Sequence, residues 1–121
     1  MYLDKLVVSP LGDGKFWEVT QPFEFYSKIH NEYMTIPSGL LTDFASIPWF
    51  MQWFEQPASG KHNTASVVHD YLYKYGIGTR EQADDLFLLL MKKDGVSWIK
   101  RHAMYYAVRL FGEKYWNGNN V

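Results

Sequence analysis

The apolar residues of this 121-residue chain change their spacing near its middle, and no other feature narrows the choice of fold so far. Up to about Pro57 they alternate, or cluster in short aromatic and β-branched runs broken by Pro and Gly, as half-buried strands do. From His62 onward they recur at three- and four-residue steps, the period of helices with one buried face. Leu3 to Val8 reads as a strand, Ser9 to Gly14 as a turn and Lys15 to Thr20 as the returning strand of a hairpin. Phe23 to Ser27 and Glu32 to Ile36 read as a third and a fourth strand. His62 to Tyr75 reads as a helix with Ala65, Val68, Leu72 and Tyr75 inward, stopped by Gly76-Ile77-Gly78. Thr79, with Gln82 three residues on, forms a capping box for a second helix whose inner face is Ala83, Leu86, Phe87 and Leu90. Asp94-Gly95 ends it, Ser97 caps a third helix, and Gly112 ends that one; Ile99, Ala103, Tyr106, Ala107 and Leu110 are its expected inner face.

The expectation is one α+β domain over residues 1–121. N-terminal antiparallel β hairpins, making a small sheet, pack on a C-terminal three-helix unit with a central antiparallel helix hairpin. Residues 1–57 are mainly β and loop, 61–112 mainly helical, and 113–121 a loose tail. A chain of this length buries roughly two thirds of the surface its unfolded form exposes, enough for one core.

Composition removes several functions. The net charge is −1 and no basic stripe extends beyond Lys100-Arg101, so electrostatic binding to nucleic acid is not expected. There is no Cys, which excludes a disulfide scaffold, a thiolate zinc site and a cysteine nucleophile. The longest apolar run, Leu86 to Met91, is far shorter than the ~20 residues of a membrane helix. The first residues lack a signal peptide's basic end and apolar stretch, so synthesis in the cytoplasm of the producing cell is expected.

One constellation can carry chemistry. His69 and Asp70 are adjacent on the first helix, about 100° apart, and so serve neighbouring functions rather than each other. Asp84 flanks the apolar face of the antiparallel second helix, while Asp85 lies on its far side. Asp84 is therefore the carboxylate expected to meet His69. An Asp held against one ring nitrogen orients the imidazole and leaves the other nitrogen as a general base, with Asp70 left for a metal or a substrate. Tyr73, one turn after His69, can hydrogen-bond the same Asp. Read structurally, the same pair fixes the helix hairpin as a satisfied buried polar contact. Trp49, Phe50, Trp53 and Phe54 are core, or else they line an apolar substrate groove or an interface with a phage or host protein.

The run His69-Asp70-Tyr71-Leu72-Tyr73, with Ala83-Asp84 on the next helix, resembles phospholipase A2 over about Val67 to Leu88. That resemblance implies His69 as the base that activates water, Asp70 as a ligand of Ca²⁺, Asp84 as the group orienting His69, Tyr73 as the support of Asp84, and a lipid ester as substrate. A second resemblance covers most of the chain. Ile36 to Pro48, His69 to Tyr73, Ala83 to Phe87 and Arg109-Leu110-Phe111-Gly112, in that order, are similar to a phage and prophage family known as domain of unknown function 1353. It implies a phage origin and brings no activity. Asp43, in Thr42-Asp43-Phe44-Ala45-Ser46-Ile47-Pro48, is either a further carboxylate beside His69 and Asp70 or a cap on the following turn. Carboxylates with one His would suit Ca²⁺ or Mn²⁺.

The reading carried forward is a phage-encoded, hydrolase-like domain with a His69–Asp84 dyad and a divalent cation on Asp70 and Asp43. It acts in the cytoplasm of the infected cell or travels in the virion. The alternative is a non-catalytic assembly or virion accessory protein, or an inhibitor of a host protein, in which these residues hold the fold together.

Overall fold

The computed structural model describes residues 2–12, 16–42 and 63–117. The chain divides into two compact units, residues 1–43 and 44–121. The first is antiparallel β, and the second carries three helices, so the α+β class holds.

In the first unit, β1 (Val8–Pro10), β2 (Trp17–Val19) and β5 (Leu41–Thr42) form a sheet in the order β1-β2-β5, while β3 (Phe23–Ser27) and β4 (Glu32–Ile36) form a hairpin. β3 and β4 occupy the residues expected for them. Alternation decides their faces: Phe23, Phe25 and Ser27 are buried, as are Met34 and Ile36, and the register pairs Phe23 with Ile36 and Phe25 with Met34. The turn between them takes Asn31 into the left-handed region at φ 56°, a conformation Asn tolerates, and Tyr26 donates its hydroxyl to the Asn31 side chain at 2.5 Å.

The first strand differs from the expectation. The β1–β2 hairpin exists, but β1 lies at Val8–Pro10 instead of Leu3–Val8. The residues before it turn to β3 instead. Tyr2 bridges Phe25, Leu3 N–H donates to the Glu24 carbonyl at 2.9 Å, and Asp4 accepts from Glu24 N–H at 2.7 Å. Pro10 stands in β1 because β1 is the outer strand of its sheet, where a missing N–H leaves no ladder bond unmade.

In the second unit, α1 (Asn63–Tyr75), α2 (Arg80–Lys93) and α3 (Trp98–Phe111) follow one another, and a 3₁₀ turn spans Glu113–Tyr115. Gly76 and Gly78 take φ of 60° and 67° between α1 and α2, a conformation that disfavours other residues. The Thr79–Gln82 capping box then starts α2, with both reciprocal hydrogen bonds present. Val68 and Leu72 of α1 and Leu86, Phe87 and Leu90 of α2 are buried, each worth about 1.5–3 kcal/mol against exposure. Tyr75, expected inward, is half exposed.

The face of α3 is the larger correction. Met104 and Ala107 are its buried residues, whereas Ile99, Tyr106 and Leu110 lie outward. Polar anchors set the helix's rotation. Arg101, Tyr105 and Arg109 form one row at four-residue spacing, and they reach the Val96 carbonyl, Asp85 and Asp84 respectively. That row turns toward α2, and the apolar row beside it turns away. Residues 113–117, read in the sequence as part of a loose tail, contain the 3₁₀ turn, a buried Trp116, and Asn117 donating to the Lys74 carbonyl at 2.8 Å.

Candidate functional site

The α1–α2 hairpin brings His69, Tyr73 and Asp84 together. Asp84 is wholly buried, one helical turn after Arg80 on α2. Its Oδ1 accepts from the Tyr73 hydroxyl at 2.6 Å and meets His69 Nε2 at 2.7 Å. Its Oδ2 accepts from Arg109 of α3 at 2.7 Å and lies 3.7 Å from Arg80. One carboxylate thus ties three helices. Tyr73 and Phe87 flank the His69 ring at centroid distances of 4.2 and 4.7 Å, and Trp116 closes on Tyr73 edge-on at 5.3 Å.

The electrostatics follow from this packing. Burial holds the His69 imidazole below its ordinary value of 6.5; the hydrogen bond and charge of Asp84 oppose that shift without cancelling it. Burial by itself would push Asp84 up, but the hydrogen bonds from His69, Tyr73 and Arg109 outweigh it and hold the carboxyl below its ordinary 3.8. At neutral pH the pair is therefore a neutral imidazole facing a carboxylate. A carboxylate only accepts, so Nε2 carries the ring proton and Nδ1 the lone pair. Burial, with Asp84 beside it, raises the Tyr73 hydroxyl, which stays a donor. His69 is buried, with about 6% of its side chain exposed.

Two arginines complete the site, and sequence reading gave neither a role. Arg80 donates to the Tyr73 hydroxyl at 3.3 Å and to the Val108 and Arg109 carbonyls at 3.1 and 3.2 Å, so it holds the end of α3 as well as the dyad. Its position one turn before Asp84 was the available signal. Arg109 gave none beyond its place in the Arg109-Leu110-Phe111-Gly112 run. That run now has a physical account at both ends. Arg109 reaches Asp84, and a Cβ on Gly112 would stand 2.9 Å from the Tyr73 hydroxyl and 2.4 Å from the Val108 carbonyl.

The expected metal ligands are less gathered. Asp70 is half-buried on α1, beside His69 in sequence, and Asp43 lies outside the described residues, as do Trp49, Phe50, Trp53 and Phe54. Among the described residues no three of His, Asp or Glu come together as a metal-binding group. Calcium takes about six to eight oxygen ligands, so the described residues do not by themselves fit it. No described helix is long and apolar enough to cross a membrane.

Comparison with known proteins gives a relative and a family, neither described with a function. The chain is 36% identical over 78 residues to the uncharacterized protein y4jT of Sinorhizobium fredii (strain NBRC 101917 / NGR234), a match covering 64% of this chain and 23% of that protein. The chain thus spans under a quarter of that relative's length. No solved structure matches. The model of a family described as protein of unknown function (DUF1353) matches residues 17–108, well over half the chain and all of the His69–Asp84–Arg109 site except Arg109 itself, and the chain belongs to that family.

Proposed function

We propose that this chain is a small hydrolase-like domain in which His69 is the general base and Asp84 orients it. One observation carries the reading: the buried, ionised Asp84 fixes the proton of a neutral His69 on Nε2 and leaves Nδ1 basic. Nδ1 takes a proton from water as the water oxygen attacks an ester carbonyl, and Asp84 stabilises the imidazolium that forms. When the tetrahedral intermediate collapses, the imidazolium returns its proton to the leaving alkoxide, so acid and alcohol are the products. A lipid ester is the first substrate to test, because the sequence His69-Asp70-Tyr71-Leu72-Tyr73 with Ala83-Asp84 resembles a phospholipase A2 motif. Calcium belongs to the proposal only through Asp70 together with Asp43, where it would polarise the reacting carbonyl. A phage or prophage source, and action in the infected cell's cytoplasm or in the virion, are proposed on the family resemblance.

The test is hydrolysis of short-chain aryl esters and of a phospholipid carrying a fluorogenic acyl chain, by the wild type and by His69→Ala. Turnover that disappears in a folded His69→Ala protein supports the reading. Absence of turnover across both substrate classes, with and without Ca²⁺, removes it.

A second reading is favoured by a specific observation: both oxygens of Asp84 are taken up by side chains from α1 and α3, as a structural clamp would require. The domain is then a non-catalytic accessory protein or inhibitor, with a phage or host protein as its partner. His69→Ala would in that case lose stability with no activity to lose.

A further inference from the structure

Among the described residues, the outward side of α3 is not the surface of a solvated helix. Trp98, Ile99, Tyr106 and Leu110 are 63%, 67%, 60% and 73% exposed. With the half-buried His102 and Ala103 they fill about 140° of the helix circumference, and the only charged residue in that arc, Arg109, is turned to Asp84. A surface helix ordinarily shows its polar face to water. Here rotation is dictated by the polar row to α2, and an apolar row is left outside.

The order of residues in that row says what fits it. Ile99, Ala103, Tyr106 and Leu110 follow one another at steps of four, three and four, the seam of a helix pair. Reversed end to end, the seam matches itself: Ile99 meets Leu110, and the large Tyr106 meets the small Ala103. Such large-to-small self-complementarity is what a two-fold contact needs, because each residue i that meets j must also be met as j by i. Lys100 lies about 90° from the middle of the seam, and Arg101, on the opposite side, is bonded to the Val96 carbonyl, so no cation falls on the seam itself. The exposed parts of Ile99, Tyr106 and Leu110, with Ala103 between them, leave roughly 400 Å² per chain. Two copies would cover about 800 Å², the scale of a weak, concentration-dependent dimer.

We infer that α3 is a homodimer interface, in which two copies of this chain pair their α3 helices antiparallel through Ile99, Ala103, Tyr106 and Leu110. This is independent of any activity at His69.

Light scattering coupled to size-exclusion chromatography, and sedimentation equilibrium, test it. The wild type is expected as a dimer, and Leu110→Glu is expected to raise its dissociation constant about 100-fold or more, because each two-fold interface receives two buried charges. Tyr33→Glu removes an equally exposed ring from β4 and should change nothing. The lack of native cysteines allows a register test. Under mild oxidation, mixed Ile99→Cys and Leu110→Cys proteins should form the heterodisulfide. Ile99→Cys alone should not, since its two copies would stand about 16 Å apart along the axis. Because that pair leaves the rest of the seam intact, it carries the test even if Leu110→Glu does not fold. A monomeric wild type at ~100 µM, an unaltered dimer in Leu110→Glu, or ready Ile99→Cys homodisulfides would overturn the inference. So would a monomer that binds anionic phospholipid vesicles through Leu110, which would assign the face to lipid.

Discussion

Replacing Asp84 by Asn changes one oxygen to NH₂ and leaves the size of the side chain nearly unaltered, so its effect measures the charge and the acceptors alone. Asp84 accepts on both oxygens, from Tyr73 and His69 on one side and Arg109 on the other. An amide cannot accept on both. Whichever way it is turned, NH₂ faces donors, and Arg109 and Arg80 lose their counter-charge. Removing one member of a buried ion pair typically costs about 3–5 kcal/mol. The guanidinium-bearing side chains are 28% and 19% exposed and recover some hydration, which reduces the expected loss to about 2–4 kcal/mol. For a domain of this size each kcal/mol moves the melting temperature by roughly 3–5 °C, so Asp84→Asn should melt about 6–20 °C below the wild type. Thermal unfolding followed by far-ultraviolet circular dichroism at pH 7 reads this directly. Adding Arg109→Met should restore part of the loss, because a share of it belongs to the orphaned cation. A fall of under about 3 °C, or no recovery in the double variant, would show that the ties among Asp84, His69, Tyr73 and Arg109 do not hold the helices.

Gly112→Ala should destabilise by about 1–3 kcal/mol, read by urea unfolding, because its Cβ meets the Tyr73 hydroxyl and the Val108 carbonyl inside van der Waals distance; pairing it with Tyr73→Phe should relieve part of that cost. Stability should decline as pH falls below about 6.5. The folded-state values of His69 and His30 both lie under their ordinary 6.5, chiefly through burial, so the unfolded chain binds protons first. That contribution is complete above pH 6.5 and is lost toward the folded-state values; Asp84, held below 3.8, adds a further loss only in the acid range. Denaturant midpoints at pH 7.5, 6.5, 5.5 and 4.5 check the order, and the step below 6.5 should shrink in His30→Gln. A cation held by Asp70 and Asp43 would raise stability by about 2.7 kcal/mol at 100 times its dissociation constant. Melting with Ca²⁺ and Mn²⁺, repeated in Asp70→Asn, should show that rise only in the wild type. No rise with either ion would leave the dyad to act on water without a metal.

Local signals carried most of the fold. The β3 and β4 strands follow from alternation, and the bounds of α2 and α3 follow from Thr79, Ser97 and their caps. Each of these is decided within a few residues of chain. Leu3–Val8 was misplaced because the run Leu6-Val7-Val8 marks a strand nearby without fixing where it begins or which strand it pairs with. The choice between β2 and β3 is made by long-range hydrogen bonds, such as Leu3 to Glu24, that leave no trace in the period. The meeting of His69 with Asp84 was legible because a three-residue turn between two amphipathic helices fixes their relative phase. Arg80 and Arg109 were not, since long flexible cations reach several turns and their targets depend on where helix ends fall.

The rotation of α3 shows how the site and the surface are one problem. Counted by apolar residues alone, the helix should turn Ile99, Tyr106 and Leu110 inward. Doing so would carry Arg109 away from Asp84 and Tyr105 away from Asp85, costing the buried carboxylate its hydrogen bond on Oδ2 and leaving only Arg80, 3.7 Å away, on that side. Removing one partner of a buried charge costs several kcal/mol, while each large apolar side chain left outside forgoes about 1.5–3 kcal/mol. Three such side chains left outside forgo about 4.5–9 kcal/mol, the same order as the polar ties that accompany the observed rotation. Covering the outer row with a second copy would recover the forgone burial without disturbing Asp84. If so, the helix that clamps the dyad is also the helix whose orientation is secured by pairing. Leu110→Glu should then lower the melting temperature at high protein concentration toward the value the wild type shows when diluted below its dissociation constant. Equal melting of wild type and Leu110→Glu at every concentration would separate the two roles.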